Sequence, residues 1–195
     1  VGIQCAFSPD DAQLVISGAA DAFGKIGVNI AKGQIVNGYD TQLYIYDLKS
    51  KNVTPITKDF NPSVSNYVWH KDGNIYIIAG DTDYIHLFRY GKDGKISKIK
   101  CPGDLVQRIS LAQNGNIGVY TASDESYPTR VYTLNLTDLD AKEWANPQGE
   151  QYKNIVFGQV KDWDYNYKKG TTIDGRYYLP ADFDPNKKYP MIVYY

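Results

Sequence analysis

Three stretches of the chain repeat one another, and a repeat limits the choice of fold more than any other feature of this sequence. The first reads Cys5-Ala6-Phe7-Ser8-Pro9-Asp10-Asp11 and leads into an apolar run over 13–17. The second reads Tyr67-Val68-Trp69-His70-Lys71-Asp72-Gly73 before 74–79, and the third Ile109-Ser110-Leu111-Ala112-Gln113-Asn114-Gly115 before 116–121. Phe7, Trp69 and Leu111 hold equivalent places, as do the turns at Asp10-Asp11, Asp72-Gly73 and Asn114-Gly115. Asp-Gly and Asn-Gly between short apolar runs signal a hairpin, because Gly accepts the positive φ of a tight turn. Each stretch continues with an alternating strand (43–48, 85–90, 130–136), a polar turn (49–52, 91–94, 137–140) and a short outer strand (53–57, 95–100, 141–145).

Four antiparallel strands in a unit of about 40 to 50 residues describe a β-propeller blade. The second and third units start 42 residues apart, and the first lies 62 residues before the second. The excess falls between the second and third strands of the first unit, at about 19–40. A sandwich also repeats short strands with turn signals, but the constant four-strand unit favours the propeller. Rings close with about four to eight blades, so three cannot close one. Residues 1–150 therefore read as the C-terminal part of a longer propeller, with blades at about 4–60, 65–104 and 107–147 and the missing blades N-terminal. The opening Val1-Gly2-Ile3-Gln4 lacks a Met and a charged leader, as expected of a processed chain or one beginning inside a longer protein.

Composition agrees with an all-β chain. Only three of the 22 acidic residues are Glu, while there are 18 Tyr, 17 Gly and 9 Pro. Asp, Gly and Pro suit turns, and Tyr suits half-buried pleated surfaces. A formal charge of −1 gives no electrostatic reason to bind nucleic acid. No apolar stretch approaches the roughly 20 residues of a membrane-spanning helix.

Several residues invite a chemical role and fit a structural one better. Cys5 and Cys101 match no metal or redox spacing and read as small buried hydrophobes. His70 beside a turn and His86 in a strand read as structural. Asp81, Asp83 and Asp93 lack the alternate spacing and closing Glu of a calcium loop, so they read as turn residues capping their own backbone. Asn52-Val53-Thr54 and Asn135-Leu136-Thr137 are short glycosylation patterns that arise readily by chance. The insert from Asp21 to Gly33 contains Gly-x-x-Gly without the Lys-Ser/Thr of a phosphate cradle, and reads equally as a long hairpin over a ring face or as a solvated loop without a role. The sequence thus assigns no catalytic, cofactor-binding or metal-binding residue.

After Pro147 the repeat stops. The apolar run 155–160 reads as a last ring strand, 163–167 with 171–180 as a strand pair, and Met191-Ile192-Val193-Tyr194-Tyr195 as a strand buried on both faces. Asp174-Gly175, Leu179-Pro180, Phe183-Asp184-Pro185 and Lys187-Lys188-Tyr189-Pro190 resemble the lead-in to the catalytic domain of the prolyl oligopeptidase family of serine peptidases, especially its dipeptidyl peptidase IV branch. The resemblance implies an all-β partial propeller followed, over 151–195, by a connector and the first strands of an α/β-hydrolase domain. It implies a longer protein that hydrolyses short peptides with a Ser-His-Asp triad. The propeller would gate substrate access, the location would be extracytoplasmic, and a homodimer fits the family. No Gly-x-Ser-x-Gly occurs in the 195 residues, and in family order Ser, Asp and His all follow this point. Tyr194 and Tyr195 lie near the place of the family's oxyanion-stabilising Tyr, but the small residues that fix its register are absent and neither is assigned. Trp163, Tyr165, Tyr167, Tyr177 and Tyr178 read as a contact between propeller and hydrolase. The rival reading is a non-enzymatic propeller that docks partner proteins.

Overall fold

The computed structural model describes residues 4–168 and 170–194. Its first sheet is an antiparallel meander of β1 (Cys5–Phe7), β2 (Gln13–Ala19), β3 (Thr41–Asp47) and β4 (Val53–Pro55). A second meander is β5 (Ser63–Trp69), β6 (Ile75–Asp81), β7 (Tyr84–Tyr90) and β8 (Ile96–Lys98). The third is β9 (Leu105–Leu111), β10 (Ile117–Ser123), β11 (Arg130–Asn135) and β12 (Ala141–Ala145). One parallel bridge, Ile85 to Leu105, joins the start of β7 in the second meander to β9, the inner strand of the third. These are the three expected blades, and Phe7, Trp69 and Leu111 each close the first strand of theirs, facing Leu14, Ile75 and Gly118.

Strand β6 shows how the blades stack. Ile75, Ile77 and Ala79 share one buried cluster with Val15 and Leu43 of the first blade. Tyr76 and Ile78, on the opposite face, share another with Val106, Tyr120, Ala122 and Leu134 of the third. Neighbouring residues of a strand point to opposite faces. The unbroken apolar run 75–79 is therefore what a central blade needs between two others. Two hydrogen bonds tie the inner strands across the blades. Tyr67 Oη donates to Gln4 O at 2.6 Å, and His70 Nε2 lies 3.1 Å from Ala112 O.

No further blade covers the outward faces of the first and third blades among the described residues. Phe7 is 59% exposed on one, and Ile117 and Val119 are 47% and 40% exposed on the other. Cys5 shares the face of Phe7 and is exposed rather than buried, while Cys101 is partly buried. The 19–40 excess does lie between β2 and β3, but it is not a hairpin. It holds a single helical turn, α1 (Ala22–Lys25), followed by irregular loop. Phe23 from this turn packs on Tyr44 of β3 with ring centroids 5.0 Å apart.

A second helical turn, α2 (Gly149–Tyr152), ends the repeat. The run 155–160 is not a ring strand: 155–158 are irregular, and Gln159 and Val160 open β13 (Gln159–Lys168). β13 pairs with β14 (Thr171–Leu179) in a two-stranded hairpin, as the alternation predicts. Met191–Tyr194 form no strand, and Ile192 and Tyr194 are 97% and 99% exposed; Tyr195 lies outside the described residues. A strand buried on both faces needs sheet neighbours, and this segment meets none among the described residues.

Each face of β6 is expected to carry stability. Ile77→Ala and Ile78→Ala should each cost about 3 kcal/mol in urea unfolding, since both remove buried methylenes from a packed face. A cost below about 1 kcal/mol for either would mean that its face is not packed against a blade.

Candidate functional site: the junction between the blades and the terminal hairpin

The connections from second to third strand in the three blades are the insert 20–40, the turn at Thr82-Asp83 and the loop 124–129. Meander topology puts all three on one rim of the ring. The terminal hairpin docks on this rim through Arg176 of β14, whose side chain is only 9% exposed. Its guanidinium forms ion pairs with Asp83 of the second blade and with Glu125 of the third, the latter at 2.7 Å. Asp162, its cross-strand partner on β13, lies 3.5 Å away. The guanidinium carbon also sits 3.9 Å from the centre of the Tyr84 ring, and Tyr84 Oη donates to Asp162 Oδ2 at 3.2 Å. Arg suits this place because its planar fork can serve carboxylates on several sides while stacking on an aromatic ring.

The cluster is acidic overall. Burial raises the Asp104 carboxyl above its ordinary value, and nearby Asp124 raises it further against the pull of Arg176. Burial likewise raises Glu125, with Arg176 opposing. Burial pulls the Arg176 guanidinium down, but Glu125, Asp83 and Asp162 outweigh it and the net direction is upward. One cation thus holds together carboxylates that otherwise repel one another.

Other residues weighed in the sequence fall on or near this junction. Asp83 is an ion-pair partner rather than a turn cap. Asp81 lies 3.3 Å from His86 Nδ1 and 3.6 Å from Lys98 Nζ. Asp93 does cap its own turn, accepting from the Lys95 amide at 3.2 Å. His86 stacks on Tyr84 at 5.1 Å, whereas His70 is buried between Ala112 O and Asp72. The Ala112 carbonyl can only accept, so Nε2 of His70 carries the proton. Among the described residues the contacts of both histidines are with carboxylates, a carbonyl and aromatic rings. Among the described residues no group of His, Cys, Asp and Glu could hold a metal ion.

Three of the hairpin's aromatic residues face away from the docking side, while Tyr178 shares the face of Arg176 and is 65% exposed. Trp163, Tyr165 and Tyr167 alternate along β13 on the face opposite Asp162 and Arg176, and are 52%, 49% and 55% exposed. Trp163 stacks on Tyr165 at 5.9 Å and lies over Gly175, where a Cβ would come within 2.8 Å of its ring. The polar face docks and the aromatic face is open. Arg176 was visible in the sequence as the one Arg after Pro147, in a chain where only four of 21 basic residues are Arg.

Comparison with known proteins places this arrangement. No family model matches the chain. Over 164 residues it is 26% identical to a probable dipeptidyl-peptidase 5 of Aspergillus niger, a match covering 76% of the chain and 21% of that protein. An acylaminoacyl peptidase of Pyrococcus horikoshii superposes with a TM-score of 0.69 at 16% identity, over 97% of this chain and 27% of that one. The prolyl oligopeptidase resemblance is borne out. The β-propeller of the trilobed protease of Pyrococcus furiosus superposes with a TM-score of 0.53 at 20% identity, over 75% of this chain and 40% of that one. TolB of Acinetobacter baumannii gives 0.53 at 16% identity, over 73% and 32%. At such identities the solved structures speak to the fold alone: a propeller arc, which for the acylaminoacyl peptidase extends through the hairpin. The chain spans about a fifth of the curated relative it matches.

Arg176→Met should free the hairpin from the propeller rim. The opening free energy of the Val160–Asp164 and Arg176–Leu179 amides should fall by on the order of 2 kcal/mol in hydrogen exchange, with the blade strands unchanged. Unchanged hairpin exchange would show that Arg176 does not dock it. Asp104→Asn should act in the opposite sense at neutral pH. A carboxyl raised in the folded state penalises folding once ionised, and the penalty disappears as pH falls through the folded value to below the unfolded one of about 3.9. The variant should melt above the parent at pH 7, with the gap closing near pH 3.5. A lower melting temperature at pH 7 would contradict this.

Proposed function

We propose that this chain is the C-terminal arc of the propeller and the lead-in to the catalytic domain of a serine peptidase that acts on short peptides, with the ring gating access to the catalytic centre. The single observation that carries the reading is the hairpin clamped to the rim by Arg176. It begins at the tail segment that resembles the start of a hydrolase domain, and it leaves an aromatic face ready for further chain. The two uncovered blade faces, with Phe7 on one and Ile117 and Val119 on the other, fit neighbouring blades that complete the ring. A ring of this kind passes an extended peptide and excludes a folded protein by width alone.

In this reading the chain contributes the gate and no catalytic group, and the peptides handled are those of a dipeptidyl peptidase or prolyl oligopeptidase type. A non-enzymatic interaction propeller is the second reading, since four-stranded blades by themselves are generic to propellers.

The purified 195-residue chain should not hydrolyse a proline-containing chromogenic dipeptide. The same chain followed by its natural hydrolase domain and preceded by its remaining blades should hydrolyse it, with loss on treatment by a serine-directed inhibitor. Inhibitor-sensitive hydrolysis by the short chain, or none by the long one, would overturn the reading.

A further inference from the structure

We propose that the insert 20–40 builds a pocket for a lysine-type side chain of a peptide; the inference rests on the peptide-gating reading and adds a specificity element to it. The insert lies between β2 and β3, so it shares the rim on which Asp83 and Glu125 hold Arg176. Where the other two blades have a short turn and a short loop there, this one has a cavity of about 220 Å³ shared with the connection from β4 to β5. That volume is below the range of about 300 to 1,000 Å³ typical of pockets for whole small molecules, and suits one side chain.

The chemistry of the wall selects the side chain. Ile30, Val36 and Phe60 offer apolar surface along one part. Asp40 and Asp59 stand on another, and among the described residues neither has an ion-pair partner within 4.0 Å. Asn29 Nδ2 donates to Asp59 Oδ1 at 2.7 Å, tying the insert to the connection and fixing this carboxylate at the cavity. Gln42 also lines the cavity, while its buried Oε1 lies beside Gly27 and the Tyr44 hydroxyl, away from the lining. Lys58 offsets one of the two carboxylates and leaves the wall acidic. An aliphatic stem ending in a cation meets both the apolar and the acidic residues of the lining, because lysine buries its stem on apolar surface and presents its ammonium to acceptors.

The test is an NMR titration of the 195-residue chain with Nα-acetyl-lysine amide, Nα-acetyl-norleucine amide and Nα-acetyl-glutamate amide. The lysine probe should give saturable amide shifts at Asn29, Asp40 and Asn61, with norleucine about fivefold weaker and glutamate weaker still, as an exposed ion pair of about 1 kcal/mol dictates. Asp40→Asn combined with Asp59→Asn should erase the preference for lysine over norleucine. Equal binding of lysine and norleucine, no shift with any probe, or a preference that survives in the double variant would each overturn the proposal. The comparison of probes on the unaltered chain stands even where the double variant does not fold. Binding is read without any hydrolysis, so its failure leaves the gating reading to its own experiment.

Discussion

The structure depends on one constraint: strand β6 must be covered on both faces by different blades. A two-layer sandwich buries one face of each sheet and leaves the other to water. Here alternate residues of one strand enter different clusters, Ile77 with Val15 and Leu43, and Ile78 with Val106 and Leu134. That fans the three sheets about a common line and puts β1, β5 and β9 on the inside. It also decides where the junction lies, because every connection from second to third strand then projects from one rim.

The junction shows how that rim is used. Four carboxylates or more approach one another at the ends of two blades, an arrangement that repels itself. Arg176 resolves the repulsion and in doing so recruits the hairpin. The blades create the negative site, and the tail supplies the cation. The clamp is part of the architecture, because Arg176 reaches two blades at once while Tyr84 and Asp162 add a hydrogen bond beside it. The opposite, aromatic face stays exposed, which sets the direction in which further chain would build.

Much of the fold was legible because it is written in repeats. The strand alternation, the equivalent positions Phe7, Trp69 and Leu111, and the hairpin at the tail all follow from side-chain period alone. The third-to-fourth strand turns show where that reading thins out. Lys51, Gly94 and Leu139 hold matching places with φ of 64°, 75° and 61°, yet only one is glycine. The blade contacts on either side enforce the left-handed conformation that Lys51 and Leu139 would otherwise avoid. The run 155–160 and Met191–Tyr194 were read as strands from apolarity, but a strand exists only where a partner offers its backbone groups. Nor could sequence place the junction, because Asp83, Glu125 and Arg176 are far apart in the chain and meet only once blades and hairpin are in position. Asp83 looked like any other turn aspartate.

Function follows from position. The rim that carries the clamp also carries the insert, so the peptidase-type reading and the side-chain pocket share one location. The account stands or falls with the fanned arrangement of the blades, and methyl-labelled NMR tests that most directly. The Ile77 methyl groups should show nuclear Overhauser contacts to Val15 and Leu43, and those of Ile78 to Val106 and Leu134, with no contact in common. Contacts from both isoleucines to one shared set of methyl groups would contradict it.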